Sequence, residues 1–146
     1  PVPETNPPPF EAIVEQEPQG VAWHSETETR RLLDMMTLSH RAKVSAAQRR
    51  GEFTAGTVYK RTRGGVQRAE VRFDGLSGCL RTPAGGSSRQ IVMIVEGARV
   101  RTRLISPRET ARLMGLPEDY VLPERYNDAY HLTGDGVVAP AVSWIE

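Results

Sequence analysis

A single cysteine, Cys79, stands in 146 residues, so no internal disulfide can form. Three scattered histidines, His24, His40 and His131, have no second cysteine to join them, which leaves no zinc-ligand set and predicts no structural metal. No apolar run approaches the roughly 18 residues that a membrane-spanning helix needs, and nothing near the start resembles a signal peptide, so no membrane partner and a soluble, cytoplasmic protein are expected. Lysine is scarce as well: 17 of the 19 basic residues are arginine. That ratio suits bidentate contacts to phosphate or to the O6 and N7 edge of guanine, although a GC-rich genome alone would also favour arginine codons.

What is present is unevenly spread. The net charge of +1 conceals an acidic residue 1–40 segment with two Lys/Arg against seven Asp/Glu, a basic 41–103 segment with 14 against four, and an acidic 104–146 segment with three against seven. A basic middle flanked by acid is an electrostatic footprint for a polyanion, most simply nucleic acid. Codon usage does not explain the clustering.

Five prolines among Pro1–Pro9 predict an extended linker or arm over residues 1–24, one that reads as a cut end. At Ser25-Glu26-Thr27-Glu28 a serine cap with Glu three residues later predicts a capping box, with Leu32, Leu33 and Met36 as an apolar stripe behind it. A second helix is expected from Ser39, rich in alanine and stopped by Gly51.

From Thr57 to Phe73 the pattern turns to strand, with Gly64-Gly65 as a two-residue hairpin turn. Counting outward from it pairs Arg63 with Val66, Arg61 with Arg68, Tyr59 with Glu70 and Thr57 with Arg72. One face then holds Arg61, Arg63, Arg68 and Arg72 with Tyr59, Val66 and Glu70; the other holds Val58, Ala69, Val71 and Phe73 with Lys60, Thr62 and Gln67. Arg61 directly opposite Arg68 is a like-charge pair, unfavourable by a few tenths of a kcal/mol up to about 1 unless a polyanion neutralises it. A DNA-facing ribbon satisfies that pattern. So does an ordinary solvated face that Glu70 partly compensates.

The glycine-rich stretch that follows, with Gly75, Gly78, Gly85 and Gly86, predicts a loop able to present backbone N–H groups to a phosphate, with Arg81, Ser87, Ser88 and Arg89 as side-chain donors; a plain connector has the same composition. Ile91–Val95 and Val100–Leu104 read as two further strands around a turn at Glu96-Gly97, forming a buried edge of the sheet. At Ser106-Pro107-Arg108-Glu109 a second capping box carries proline in the first helical position, so Glu109 is read as a cap rather than a general base, and the helix should end at Gly115. Near the end Asp135 reads as the N-cap of a last helix that accommodates Pro140 in its first turn.

Two phrases in this final stretch carry a resemblance. Leu104, Ser106, Pro107, Arg108, Glu109, Ala111, Arg112, Leu113, Met114, Gly115 and Pro117 match the ninth conserved motif of the DNA cytosine-5 methyltransferases. Gly134, Gly136, Val137, Pro140 and Val142 follow the tenth, usually Gly-Asn-Ser-Val-x-Val-Pro-Val. From about Thr57 to Ile145 the chain resembles the C-terminal end of such an enzyme, especially a bacterial modification enzyme. Asp135 stands where that family has Asn, Gly136 where it has Ser, and Ala139 and Ala141 where it has Val.

The resemblance implies an α+β fold: a small, mostly antiparallel β target recognition domain with short helices over 25–103, then a 104–146 region whose helices would pack on a Rossmann-like catalytic lobe. It implies double-stranded DNA as partner, through Arg61, Arg63, Gln67, Arg68, Arg72, Arg81, Thr82, Ser87, Ser88 and Arg89. It also implies S-adenosylmethionine as cofactor of the complete enzyme, near Asp135, Gly136 and Val137. The family's phosphate-binding Thr-Leu is matched by Cys79-Leu80, so that contact is lost or moved to Thr82 or Ser87. Gln67 or Arg68 would fill the gap left when the target cytosine flips out of the stack.

The implied reaction is methyl transfer to carbon 5 of the flipped cytosine, through a covalent adduct with the Cys of a Pro-Cys motif and help from the Glu of a Glu-Asn-Val motif. Cys79 lies between Gly78 and Leu80, and no Glu precedes Asn-Val. The isolated chain is therefore expected to be inactive, its N-terminal catalytic lobe or catalytic subunit being elsewhere. A stand-alone, non-catalytic DNA-binding module is the alternative. The two differ in the last helix, where a methyltransferase piece should expose Val137, Val138, Val142, Trp144 and Ile145 and a self-sufficient module should bury them.

Overall fold

A computed structural model describes residues 6–81, 89–136 and 138–145. In chain order the elements are α1 (Phe10–Ile13), α2 (Glu26–Asp34), α3 (Leu38–Arg50), β1 (Thr54–Arg63), β2 (Val66–Arg72), β3 (Ile91–Glu96), β4 (Arg99–Leu104), α4 (Pro107–Leu113), α5 (Tyr126–Gly134) and α6 (Ala139–Ile145). The strands form one antiparallel sheet in the order β2-β1-β3-β4. The class is α+β, as expected.

Both capping boxes form. Ser25 accepts from the Glu28 N–H while the Glu28 carboxylate accepts from the Ser25 N–H, and Ser106 and Glu109 do the same with Pro107 at the first position of α4. The helix expected from Ser39 begins one residue earlier and stops at Gly51, whose φ of 72° is the left-handed conformation that glycine adopts without strain.

The sheet is covered on both faces. Val58, Ala69, Val71, Met93 and Val95 meet Leu32 and Met36 from the α2 region and Val44 and Ala47 of α3. Ala55, Val92 and Ile94 on the other face meet Phe10, Ile13, Ile105 and Tyr130. β3, covered on both sides, reads as a nearly continuous apolar run and lies inside the sheet, while its partner β4 forms an edge of it. β2 is the other edge; along β4 lies the Trp23–His24 segment, with the His24 N–H donating to the Thr102 carbonyl at 2.9 Å.

Two further expectations are corrected, and one helix is added. The extended arm read into residues 1–24 contains a helical turn and three core residues, Phe10, Ile13 and Val14, because the apolar spacing Phe10–Ile13 supplies one buried face. α5 was not anticipated. Asp135 is the C-cap of α5, its N–H donating to the His131 carbonyl, and not the N-cap of α6; Pro140 does lie in the first turn of α6. Among the described residues no helix is long and apolar enough to cross a membrane, and no group of three His, Cys, Asp or Glu could hold a metal ion.

Candidate nucleic-acid interface

The hairpin turn is glycine-dependent, with φ of 57° at Gly64 and 76° at Gly65, and all seven cross-strand partners follow the register counted from the sequence. β1 pairs with β3 only from Thr54 to Val58. Beyond Val58 the hairpin therefore runs on as a two-stranded ribbon, and the side chains of Arg61, Arg63, Val66, Gln67 and Arg68 are exposed. Register puts Arg68 on the face of Arg61, Arg63 and Arg72, and Gln67 on the opposite face.

The acid on this face is active. Glu70, whose side chain is only 17% exposed, lies 3.9 Å from Arg61 and 3.6 Å from Arg63. Burial pushes the Tyr59 phenol above its ordinary value, and a hydrogen bond to Glu70 adds to the rise. The Arg61 guanidinium sits over the Tyr59 ring at 4.8 Å. Glu70 thus organises Tyr59, Arg61 and Arg63 as one cluster and partly neutralises it, while Arg68 makes no ion pair among the described residues. Arg72 grips Asp74 with two hydrogen bonds of 2.8 and 2.6 Å, which holds the Asp74 carboxyl below its ordinary range.

Between this face and the following loop lies a groove of about 420 Å³, lined by Tyr59, Lys60, Arg61, Arg72, Gly78, Cys79, Arg81 and Gln90. Buried Gln90 fixes the loop: its Nε2 donates to the Gly78 carbonyl at 2.7 Å and its Oε1 accepts from the Gly78 N–H at 3.1 Å. A Cβ on Gly78 would meet that amide at 3.3 Å. Arg61, Arg72 and Arg81 are thereby brought together. Thr82, Ser87 and Ser88 lie outside the described residues. Arg89 goes elsewhere, donating to Asn127 and lying 5.4 Å over the Tyr126 ring.

At the C-terminal end the two sequence phrases meet. The Ala139 N–H donates to the Met114 carbonyl at 2.9 Å, and a Cβ on Gly115 would come within 2.5 Å of Pro140. Asp135 and Gly136 line an open groove of about 600 Å³ with Asp128 and His131; Val137 is outside the described residues. No described residue of α6 is buried, and Val142, Trp144 and Ile145 are 41, 56 and 76% exposed, with Val138 just before the helix at 43%.

The charge pattern overcounts the cations that a polyanion can reach. Arg103 was counted with the basic middle, yet it is fully buried in a bidentate pair with Glu109 at 2.6 and 2.9 Å, and it cannot reach a polyanion. Glu109 is accordingly both cap and ion-pair partner. Gln90 carried no signal in the sequence, because its role depends on a backbone segment 12 residues away.

Comparison with known proteins matches residues 12–146 to the family of C-5 cytosine-specific DNA methylases. A type II methyltransferase, M1.ScrFI of Lactococcus lactis subsp. cremoris, is 36% identical over 50 residues, which cover 34% of this chain and 13% of that relative's length. No solved structure matches.

Proposed function

The chain belongs to the family of C-5 cytosine-specific DNA methylases, and on that footing we propose that it is the DNA-recognition and C-terminal portion of a DNA cytosine-5 methyltransferase. The observation that carries this reading is the exposed basic ribbon face, on which Arg61 lies directly opposite Arg68 and runs into a groove with Arg72 and Arg81. A like-charge pair of this kind is relieved when duplex phosphates lie against it.

In this reading Arg61, Arg63, Arg68, Arg72 and Arg81 hold the duplex, partly through phosphates and partly through guanine edges, and Gln90 positions the loop that completes the groove. The ribbon tip, with Gln67 and Arg68 on opposite faces, enters the stack where the target cytosine leaves it. Residues 25–103 act as the recognition domain and 104–146 as the region that joins the catalytic lobe. The exposed Val138, Val142, Trp144 and Ile145 provide an apolar surface for that lobe.

S-adenosylmethionine would supply the methyl group when bound. The open groove at Asp135 and Gly136 would form one wall of its site, since Asp128, 3.9 Å from Arg125, and Asp135 line it with carboxylates suited to a cationic donor. The nucleophile and acid are proposed to lie on the catalytic lobe, because this chain has neither a Pro-Cys nor a Glu-Asn-Val motif.

The test is methyl transfer to duplex DNA by this chain, alone and mixed with a separately expressed polypeptide bearing the Pro-Cys motif. Activity only in the mixture supports the reading. No activity in the mixture, with DNA binding retained, would instead assign the chain as a stand-alone binding module. Replacing Arg61 and Arg68 together with alanine should weaken binding; unchanged affinity at low salt would remove the ribbon from the interface.

A further inference from the structure

We infer that Arg61 reads the edge of a guanine, held in position by Tyr59 and Glu70, while its cross-strand partner Arg68 serves the phosphate backbone; this deepens the DNA-recognition reading above and rests on it.

The arginines of the ribbon face are held in different ways. Arg61 meets Glu70 through Nε, 3.9 Å from Oε2, and its guanidinium lies 4.8 Å over the Tyr59 ring. One flat face and the Nε edge are thus occupied, which leaves the two terminal nitrogens for a ligand. Among the described residues Arg61 makes no other ion pair or hydrogen bond. A guanidinium presenting that pair of nitrogens matches O6 and N7 of guanine.

The carboxylate behind Arg61 is itself fixed. Tyr59 and Glu70 are direct cross-strand partners, and the Tyr59 phenol donates a hydrogen bond to Glu70. The Glu70 side chain is 17% exposed against 53% for Arg61, so the acid is recessed behind the arginine and acts through it. The neighbouring cations differ. Arg72 uses Nε and a terminal nitrogen on Asp74, and Arg63 meets Glu70 with a terminal nitrogen at 3.6 Å. Arg68 makes no ion pair among the described residues.

Holding matters because the two kinds of contact ask for different things. A phosphate accepts an arginine from many directions, so an unheld Arg68 serves it well. A base edge accepts one geometry, and a side chain already in it loses less freedom on binding. For phosphate contacts alone, Glu70 on this face would only weaken the attraction. Beyond Val58 the hairpin is two-stranded, the section that the major groove admits and where O6 and N7 are displayed. Arg61 is therefore placed on the element that can reach those atoms.

The experiment selects duplexes from a randomised pool with the wild-type chain, then replaces the guanines of the bound sequence one at a time by 7-deazaguanine, which pairs normally but lacks N7. Circular dichroism shows that each variant folds. At one position the replacement should weaken the wild-type chain about five- to tenfold and leave Arg61→Lys, which keeps the charge without the fork, indifferent. Glu70→Gln and Tyr59→Phe should each reduce that factor, whereas Arg68→Ala should bind more weakly on every duplex with the factor retained. Equal sensitivity in wild type and Arg61→Lys would overturn the assignment. So would a factor unchanged in Glu70→Gln, which would leave Glu70 as no more than a relief of the repulsion between Arg61 and Arg68. Selected duplexes that share no guanine would also overturn it, and affinity still lost in Arg61→Ala/Arg68→Ala would then leave the ribbon reading standing. No binding by the wild-type chain at low salt would overturn both readings.

Discussion

Removing the buried charge of Glu109 should be among the most destabilising single changes in this chain. Arg103 and Glu109 are both fully buried, joined by two hydrogen bonds of 2.6 and 2.9 Å. Glu109 also accepts from the Glu15 and Ser106 N–H groups, each at 2.8 Å, and Arg103 donates to the Glu15 and Leu104 carbonyls at 2.9 and 3.1 Å. The pair thus ties the segment after α1 to β4 and to the start of α4. Breaking such a pair costs about 3–5 kcal/mol, a large part of the 5–15 kcal/mol by which domains are ordinarily stable. Glu109→Gln and Arg103→Met are each expected to lose that amount. Replacing both buried charges by apolar groups is often neutral elsewhere, but here Arg103→Met/Glu109→Met would leave two N–H groups without these acceptors, at about 1–3 kcal/mol each. The double variant should therefore remain about 2–6 kcal/mol less stable than the wild type. Urea unfolding followed by circular dichroism measures all three. A double variant within about 1 kcal/mol of the wild type would refute the reasoning, because it would mean that those N–H groups find other partners.

Glu70→Gln should strengthen non-specific DNA binding and steepen its salt dependence by releasing Arg61 and Arg63, and the Tyr59 phenol should titrate closer to its ordinary value; an unchanged salt slope would show that Glu70 does not compete with phosphate. Burial holds the His24 imidazole below its ordinary value, against an opposing pull from Glu28. The unfolded chain therefore takes up this proton first, and stability should fall as the pH drops below about 6.5 towards the lower folded value. Urea midpoints at several pH values, compared with those of His24→Gln, would isolate that contribution, and identical pH profiles would exclude it. Gly56→Ala should destabilise by about 1–3 kcal/mol, since the added Cβ would lie 2.3 Å from the Arg72 carbonyl oxygen and 2.5 Å from the Phe73 ring. It should also disturb DNA binding through Arg72, and a variant with wild-type stability and affinity would rule out that clash.

Local chemistry was legible wherever its partners lie close in sequence. Ser25 and Glu28, Ser106 and Glu109, and Gly64 with Gly65 each satisfy or shape backbone within a few residues, so capping boxes and hairpin register could be counted from the chain. α1 was hidden because four residues give no period, and a proline-rich approach to it has the composition of a disordered arm. α5 was hidden because its buried residues, Ala129, Tyr130 and Thr133, follow no strong apolar stripe, and Thr133 is held partly by a hydroxyl contact to Thr110 at 3.0 Å. Asp135 was misassigned because an aspartate between two helices can belong to either, and only the backbone decides which.

For the candidate site, the sequence by itself determined the alternation that puts Arg61, Arg63, Arg68 and Arg72 on one face, because strand geometry and a two-residue turn leave a single register. It also carried the family, through two phrases whose residues meet at Gly115 and Pro140. Only the tertiary structure decided which cations are available. Arg103 is withdrawn by Glu109, Arg89 by Asn127 and Tyr126 and Arg72 by Asp74, and Arg61 and Arg63 are shared with Glu70, whereas Arg68 makes no ion pair among the described residues. Charge counted along a chain is a property of composition. Charge that a polyanion can reach depends on burial and on partners distant in sequence.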